Sequence, residues 1–308
     1  MPQHRGTDEP ELVLAQRWVR EPVRADHTTD LCASHEVFDP EAIASALGTR
    51  RIGRRVVVLD ETASTNDVAF TSVDQDGADG LAVFTEYQIA GRGRLGRTWT
   101  SPRSASVLCS VLLVESHSSG RAPVEPGTLT LAAGVATCEA VLTAVEDLEP
   151  TIRWPNDLCL RGRKLAGILI ESRAARGGSA CAIGIGLNCL QHRGHFDESL
   201  QASATSLEAE SRFPVSRLAV ARQLLIELDR WLADPPDQKA LRQAWLDRAE
   251  PLGQHIHLRQ AGHDYVGRTI DVDPVAGLVV QLDDGGRRVF DPATTTLVSG
   301  GGRIGPQP

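Results

Sequence analysis

The sequence lacks the features that would indicate a secreted or membrane protein. Across its 308 residues no run approaches the ~18 consecutive apolar residues of a membrane-spanning helix. Its first residues, MPQHRGTDEPE, are charged and contain proline, without the apolar segment of a secretory signal peptide. The cysteines form no C-x-x-C pair and no disulfide framework of a short secreted chain, which predicts free thiols. We therefore expect a cytoplasmic protein with no membrane partner. The cysteines are Cys32, Cys109, Cys138, Cys159, Cys181 and Cys189.

A positive net charge is also missing. The formal charge is −8, whereas domains that bind nucleic acids by general electrostatics are usually basic. Locally the balance reverses, because residues 91–103 contain Arg92, Arg94, Arg97 and Arg103 and no carboxylate. This segment favours a small anionic ligand over a polyanion.

The N-terminal part contains a single helix signal. Residues 1–37 mix proline, charge and isolated apolar side chains, which predicts a mobile N-terminal extension. Asp39 as N-cap, Pro40 at the first helical position and Gly48 as a stop then predict one helix. Since a DNA-reading unit needs more than one helix, we expect no DNA binding.

Strand and helix signals alternate between residues 38 and 250, which predicts an α/β (α+β type) catalytic domain with a mixed sheet. The helix signals lie at 128–145, 216–232 and 238–248, and the strand signals at 56–60, 81–87, 110–116, 151–154, 164–172 and 180–189. Residues 251–300 instead contain short strands separated by turn signals, which predicts a small closed β-barrel. Residues 301–308 are expected to form a loose tail.

The stretch GRGRLGRT (91–98) fits two phosphate-binding patterns, but the helix that both require is missing. It matches G-x-G-x-x-G, the dinucleotide fingerprint, and also the P-loop if Arg97 replaces the lysine. In both folds a helix follows the loop and receives phosphate at its N-terminus. Residues 97–106 contain Pro102 and several serine and threonine residues instead. The sequence therefore predicts a glycine-rich loop between two strands, either a binding loop for carboxylate or phosphate or a solvated basic hairpin.

Five motifs, in order along the chain, resemble the biotin protein ligase family. The resemblance implies a fold of the biotin/lipoate ligase type, followed by an SH3-like β-barrel. It also implies a two-step reaction, in which biotin and ATP form biotinyl-5′-AMP and pyrophosphate before a carrier-protein lysine accepts the biotin. The motifs are Ser64-Thr65-Asn66, Glu86-Tyr87-Gln88 leading into GRGRLGRTW (91–99), Arg153-Trp154-Pro155-Asn156-Asp157, Lys164-Leu165-Ala166-Gly167-Ile168-Leu169 and Gly184-Ile185-Gly186-Leu187-Asn188.

The resemblance also implies roles for individual residues. Lys164, Arg94 and Arg92 are the expected catalytic residues, because the first step brings two anions together and needs fixed positive charge. ATP with Mg²⁺ and biotin are expected as substrates and a biotin carboxyl carrier protein domain as partner, with no tightly bound cofactor and no assigned metal ligand. The expected biotin-binding residues are Ser64, Thr65, Asn66, Gln88, Gly91, Arg92, Gly93, Arg94, Lys164, Gly167 and Gly186. The expected nucleotide-binding residues are Arg97, Trp99, Asn156, Asp157 and Asn188.

Other interpretations remain open at this point. Ser64 and Thr65 could simply cap the helix that follows, Trp99 could be a core residue, and Asn156 could form an Asx turn. A lipoate–protein ligase has a related fold and the same adenylation chemistry, although the glycine–arginine loop and the C-terminal domain favour biotin. A nicotinamide-dependent oxidoreductase would need a helix after Gly96, and a biotin-sensing regulator without ligase activity would not need Lys164. We expect a monomer or a weak homodimer.

Overall fold

The computed structural model describes residues 36–116, 124–175 and 178–300. Its helices agree closely with the sequence signals. Asp39 caps the first helix, as predicted, by accepting a 2.9 Å hydrogen bond from the Ala42 backbone N–H. The predicted extension at 1–37, apart from its last two residues, and the predicted tail lie outside the described residues. The helices are α1 (Pro40–Ala44), α2 (Thr65–Thr71), α3 (Pro126–Ala144), α4 (Leu207–Glu210), α5 (Arg217–Leu232) and α6 (Gln238–Arg248).

Seven strands form one mixed sheet, which confirms the predicted fold class. The strand order is β1-β2-β3-β7-β6-β5-β4. β1 pairs with β2 in parallel, and every other neighbouring pair is antiparallel. The strands are β1 (Val56–Thr62), β2 (Ala82–Gln88), β3 (Ser106–Ser116), β4 (Thr151–Arg153), β5 (Asp157–Leu160), β6 (Arg163–Ala175) and β7 (Gly178–Asn188).

The two faces of this sheet have different partners. Ala82 and Phe84 of β2 belong to the larger core, which contains the apolar side chains of α3 and α5, whereas Val83 between them packs with Phe70 of α2. Successive side chains of a strand point to opposite faces, so α2 lies on the face opposite α3 and α5. Because α2 is only one short helix, it leaves room beside its N-terminus for a cavity.

α3 is the central core helix. By length and composition it is the one helix among the described residues that could cross a membrane, but 67% of its apolar window is buried inside the fold. Its buried side chains include Leu129, Leu131 and Val135, and they pack with α5 and the sheet. The apolar character of α3 is thus used in packing against its own chain.

A second, antiparallel sheet forms the C-terminal part, but it is not the closed barrel that the short strands predicted. Its order is β11-β10-β9-β8-β12, so among the described residues β11 and β12 are edges that do not pair with each other. The arrangement is consistent with an SH3-like domain, although the sheet does not close into a barrel. The predicted boundary at residue 251 falls between α6 and β8 and stays a prediction. The strands are β8 (His255–Gln260), β9 (His263–Asp273), β10 (Gly277–Leu282), β11 (Arg287–Phe290) and β12 (Thr295–Gly300).

The five cysteines within the described residues are all free and buried. Burial disfavours the thiolate and raises the pKa of Cys138, Cys159 and Cys189 to about 12. These thiols therefore act as small apolar core side chains rather than as nucleophiles.

A buried ion pair joins the larger core to the first described residues. Arg217 of α5 is 0% exposed, and its Nη2 lies 2.8 Å from Oε2 of Glu86, which is 3% exposed. The other Glu86 oxygen accepts a 2.7 Å hydrogen bond from the Phe38 backbone N–H. The Arg217 guanidinium also lies over the Phe38 ring, 4.1 Å from its centroid. Glu86, the first residue of one recognised motif, is thus a structural anchor.

Candidate functional site

One cavity of about 400 Å³ gathers most of the predicted site residues. It lies at the N-terminus of α2, beside β6 and β7, and it is closed on one side by Thr296, Leu297 and Val298 of β12. This volume is within the range of pockets that hold drug-sized ligands. The predicted residues that line it are Ser64, Thr65, Asn66, Gln88, Arg92, Gly93, Arg94, Arg97, Trp99, Asn156, Asp157, Lys164, Gly167 and Gly186.

A neutral polar cluster forms one end of the cavity. Gln88 Oε1 accepts hydrogen bonds from the backbone N–H of Thr65 at 2.8 Å and from its hydroxyl at 3.2 Å. The Ser110 hydroxyl lies 2.6 Å from both Thr65 Oγ1 and Asn66 Oδ1. Ser64 is the N-cap residue of α2, but its side chain makes no capping hydrogen bond. Its hydroxyl is therefore available to a ligand in the cavity.

The glycine-rich loop is a short hairpin that folds back along the cavity. Gly93 N–H donates to the Arg97 carbonyl at 2.7 Å, and Trp99 N–H donates to the Gly91 carbonyl at 2.9 Å. Only one 3₁₀ turn (Arg94–Gly96) forms, and its Leu95 and Gly96 have φ of 55° and 75°. No α-helix lies between this loop and β3, which confirms that neither phosphate motif applies.

Arg92 is held in ion pairs with two carboxylates. Its Nη1 and Nη2 lie 2.7 and 3.0 Å from the two oxygens of Asp67, and Nη2 also lies 2.9 Å from Glu171 Oε2. These hydrogen bonds raise the pKa of Arg92 and, with a contribution from Arg173, lower the pKa of Asp67. Both groups are therefore charged throughout the physiological range of pH.

Arg94 connects the glycine-rich loop to Asn156 and to the start of β12. Nη1 donates to Asn156 Oδ1 at 3.0 Å, and Nη2 donates to the backbone carbonyls of Thr295, at 3.0 Å, and Pro292. Burial lowers the pKa of Arg94, because the charged form loses its hydration. The side chain therefore fixes the loop against the start of β12 by hydrogen bonds to neutral oxygens, and no carboxylate pairs with its charge among the described residues.

Trp99 lies on a flat surface made by two glycines. Gly167 of β6 and Gly186 of β7 face each other in the sheet register. A Cβ atom on Gly186 would lie 2.5 Å from Trp99 Cε2, and one on Gly167 would lie 3.2 Å from Cζ3. Because these glycines have no side chains, the tryptophan ring can pack directly on the two strands. The ring therefore occupies the space in which a ligand would otherwise contact these glycines. The indole N–H is buried without a hydrogen-bond partner among the described residues.

Lys164 stands at the cavity wall between Trp99 and Asp157. Its Nζ lies 2.7 Å from Asp157 Oδ1 and 5.7 Å from the Trp99 ring centroid. Asn156, the residue before Asp157, donates from Nδ2 to the Ile168 carbonyl at 2.7 Å. The ammonium group is thus oriented by a carboxylate on one side and an aromatic face on the other.

Two predicted residues are not among those that line the cavity, Gly91 and Asn188. A Cβ on Gly91 would lie 2.5 Å from the Trp99 carbonyl oxygen, so this glycine permits the hairpin to close. Asn188 is buried and donates from Nδ2 to the Thr205 carbonyl at 3.0 Å, while Thr205 N–H donates to the Lys164 carbonyl at 2.9 Å. Asn188 therefore supports the backbone segment that holds Lys164.

Several residues at the site were missed from the sequence. Glu171 has a detectable signal, since it lies on β6 at an even spacing from Gly167 and so on the same face of the strand. Ser110 has no motif residue on its own strand and reaches the site through its pairing with Gly184 across β3 and β7. Arg153 lines the cavity, but its guanidinium is bound by Glu250, with Nη2 2.6 Å from Oε1. The contribution of β12 has no local sequence signal, because it depends on how the C-terminal sheet packs.

The site combines neutral hydrogen-bonding groups with an excess of cations. Four arginines and Lys164 line the cavity, against Asp157 as the one lining carboxylate. Arg97 has no ion-pair or hydrogen-bond partner for its guanidinium in the described part of the chain. Such an arrangement can bind an extended ligand with a neutral polar end and an anionic end, and it can stabilise negative charge that develops between them.

Replacing Gly186 by alanine is expected to displace Trp99. The added methyl group would overlap the indole ring, so the free energy of unfolding should fall by about 1–3 kcal/mol and the near-ultraviolet circular dichroism of the tryptophans should change. The matched control is Gly134→Ala in α3, where a new Cβ would have its nearest neighbour at 3.7 Å. That change should stabilise the helix by up to ~1 kcal/mol. Equal behaviour of the two variants in urea denaturation would contradict the proposed contact.

Comparison with known proteins agrees with this geometry. The sequence pattern of the Biotin/lipoate A/B protein ligase family matches residues 58–188. Biotin–[acetyl-CoA-carboxylase] ligase of Mycobacterium tuberculosis is 34% identical over 245 residues, which cover 77% of this chain and 86% of that protein. Bifunctional ligase/repressor BirA of Bacillus spizizenii is 26% identical over 251 residues, which cover 80% and 76%. The structure of biotin protein ligase from Aquifex aeolicus in complex with biotin and ATP superposes on 79% of this chain and 98% of its own, with a TM-score of 0.64 and 21% identity, a likeness of fold.

Proposed function

This chain belongs to the biotin protein ligase family, and on that premise we propose that it is an ATP-dependent biotin–[biotin carboxyl carrier protein] ligase. The observation that carries the proposal is the joining, in one cavity, of a neutral polar cluster at α2 with a cluster of cations at the glycine-rich loop. Biotin has the same division, since a neutral ureido ring lies at one end and a carboxylate at the other.

The polar cluster suits a ureido ring better than the dithiolane ring of a lipoyl group. A ureido ring presents one carbonyl acceptor and two N–H donors, whereas a dithiolane has only weakly accepting sulfur atoms. Ser64 supplies an uncommitted hydroxyl, and Thr65, Asn66 and Gln88 supply further donors and acceptors at the same end of the cavity. Binding a dithiolane there would leave the buried Ser64 hydroxyl without a partner, at a cost in free energy.

The cationic end suits the first chemical step. An oxygen of the biotin carboxylate attacks the α-phosphorus of ATP, which arrives as its magnesium complex, and the bond to the β-phosphate oxygen breaks to release pyrophosphate. Two anions must approach each other in this step, so fixed cations lower its barrier. We assign this role to Lys164 and Arg94, with Arg92 at the carboxylate side and the unpaired Arg97 nearest the phosphates.

The second step needs the intermediate to be kept from water. The amine of the carrier lysine attacks the acyl carbon of biotinyl-5′-AMP, the bond to the phosphate oxygen breaks, and AMP leaves while the nitrogen loses a proton. Arg94 ties the glycine-rich loop to the Thr295 carbonyl and to Asn156. We propose that this closed loop, with Trp99 beneath it, retains the adenylate until the carrier arrives. We assign Trp99, Asn156 and Asp157 to the nucleotide, and Asn188 to the same part of the site through its support of Lys164.

The proposal extends to partners and location. We propose a cytoplasmic enzyme that acts on a biotin carboxyl carrier protein domain as a monomer or weak homodimer, without DNA or membrane binding. The net charge of −8 and the single helix signal in the first 50 residues support the proposed absence of DNA binding. Because a relative is a bifunctional ligase/repressor, DNA binding by the full chain is a direct test of this part.

The test of function uses the purified chain with biotin, ATP, Mg²⁺ and an apo carrier domain. We expect one biotinyl group on the carrier by mass spectrometry, and pyrophosphate release that continues only while carrier remains. Without carrier, a single burst of pyrophosphate is expected, because the adenylate stays bound. A carrier whose acceptor lysine is changed to arginine serves as the control. Transfer of lipoate in preference to biotin would overturn the proposal in favour of a lipoate–protein ligase.

A further inference from the structure

A cluster of four charges joins α2, the glycine-rich loop and β6. Its members are Asp67 of α2, Arg92 of the loop, and Glu171 and Arg173 of β6. Arg92 and Arg173 both pair with Asp67, with Arg173 Nη2 2.9 Å from Asp67 Oδ1. Arg92 also pairs with Glu171 at 2.9 Å. The formal charges of the four side chains sum to zero, so the cluster is neutral without a ligand.

Within this cluster Glu171 is hydrogen-bonded to two residues that line the cavity. Its single oxygen Oε2 accepts two hydrogen bonds, from Asn66 Nδ2 at 2.7 Å and from Arg92 Nη2 at 2.9 Å. Asn66 and Arg92 belong to different segments, and both line the cavity. One carboxylate on a rigid strand thus joins the α2 end of the site to the glycine-rich loop.

Glu171 also determines which way the Asn66 amide is turned. A carboxylate can only accept hydrogen bonds, so the Asn66 side chain must turn its NH₂ group towards Glu171. Its oxygen Oδ1 is then directed to Ser110, at 2.6 Å, and it lies where a Cβ on Gly184 would meet it at 2.7 Å. With Glu171 absent, the amide loses the partner that distinguishes its two ends.

We propose that Glu171 is a positioning residue for biotin binding, which orients the Asn66 amide and holds Arg92, and with it the glycine-rich loop, against α2. This inference rests on the proposed function and adds to it a residue outside the expected catalytic and binding set. Glu171 acts through Asn66 and Arg92. Its side chain is 29% exposed and that of Arg92 is 36% exposed, so neither charge is fully desolvated.

The position of Glu171 predicts an effect on substrate binding rather than on the chemical step. Loss of a hydrogen bond to a charged group weakens binding by about 10- to 100-fold when the affected groups contact the ligand. Of the cations assigned to the first step, Lys164 and Arg94 do not touch Glu171, and Arg92 would keep its charge and its two hydrogen bonds to Asp67 in a Glu171 variant. Once biotin is bound, the rate of adenylate formation should therefore be nearly unchanged.

The experiment compares Glu171→Ala, Glu171→Gln and the matched control Glu115→Ala in the full chain. Glu115 is a partly buried carboxylate of the same sheet and accepts two hydrogen bonds, from Val124 N–H at 2.8 Å and the Ser179 hydroxyl at 2.9 Å. For Glu171→Ala we expect the KM for biotin to rise about 10- to 100-fold, with kcat within about threefold of the wild type. Glu171→Gln, which keeps an acceptor oxygen, should recover most of this loss, and Glu115→Ala should leave KM unchanged.

A second measurement does not depend on catalysis. Trypsin cleaves after arginine, so the loop residues Arg92, Arg94 and Arg97 report how firmly the loop is held. Without ligands, Glu171→Ala should be cut in this loop at least several-fold faster than the wild type or Glu115→Ala. An unchanged KM together with unchanged cleavage would overturn the inference, as would equal changes in the Glu115 variant. If the wild-type chain forms no biotinyl adenylate, the proposed function fails, while the cleavage result still tests the role of Glu171 in holding the loop.

Discussion

Replacing Lys164 by alanine should slow adenylate formation by about two to three orders of magnitude, the loss that follows removal of one preorganised transition-state donor. The Lys164 ammonium lies 2.7 Å from Asp157 and faces the Trp99 ring, so its position is set before substrates bind. It can donate to the attacking carboxylate oxygen as that oxygen becomes part of the anhydride. Single-turnover release of pyrophosphate, with biotin and ATP saturating, measures the step directly.

The chain supplies a matched control for this variant. It contains only two lysines, and the other, Lys239, is exposed at the start of α6. Lys239→Ala should leave the single-turnover rate unchanged. Lys164→Arg keeps the charge but replaces a compact ammonium with a planar fork, so we expect it to recover only part of the rate. An unaltered rate in Lys164→Ala would remove this residue from the proposed chemistry.

Replacing Arg217 by methionine should lower the free energy of unfolding by about 3–5 kcal/mol, the usual effect of removing one partner of a buried ion pair. The change would leave the Glu86 carboxylate, which is 3% exposed, with the Phe38 N–H as its remaining hydrogen-bond donor among the described residues. It would also remove the hydrogen bond from Arg217 Nε to the Ser106 carbonyl at 3.2 Å. Urea denaturation followed by far-ultraviolet circular dichroism measures the effect.

Two further variants identify the unpaired charge as the cause. In the double variant Glu86→Gln with Arg217→Met no charge remains, so most of the lost stability should return. Arg230→Met on the same helix removes an arginine that is 63% exposed, and it should cost at most ~1 kcal/mol, as surface ion pairs do. A double variant no more stable than Arg217→Met alone would show that the packing of the guanidinium, and not its charge, matters most.

Elements defined by local preferences were predicted well from the sequence. α6 runs from Gln238 to Arg248, as its apolar spacing predicted, and Asp39 caps α1. The absence of a helix after the glycine-rich loop was also correct, because Pro102 and its serine and threonine neighbours disfavour a helix on their own. The strands β3 and β6 are longer than predicted, at Ser106–Ser116 and Arg163–Ala175, since pairing with β7 extends each of them.

The predicted closure of the C-terminal barrel was wrong, because closure does not depend on local sequence signals. Short strands and turns in residues 251–300 correctly predicted hairpins, but closure depends on whether the two edge strands meet, and β11 and β12 do not. The turn signals are local properties of the chain. Strand order at the sheet edges is a property of the whole sheet, and no short segment encodes it.

The sequence by itself determined the family, the glycine-rich loop and most of the residues that line the cavity, because these depend on residue types at fixed spacing along the chain. Only the tertiary structure decided which partners those residues have. Arg92 meets Glu171 across 79 positions, and Arg94 reaches the carbonyl of Thr295 across 201. The physical reason is that backbone preferences act over a few residues, whereas charge pairing and cavity walls arise between strands brought together by the order of the sheet.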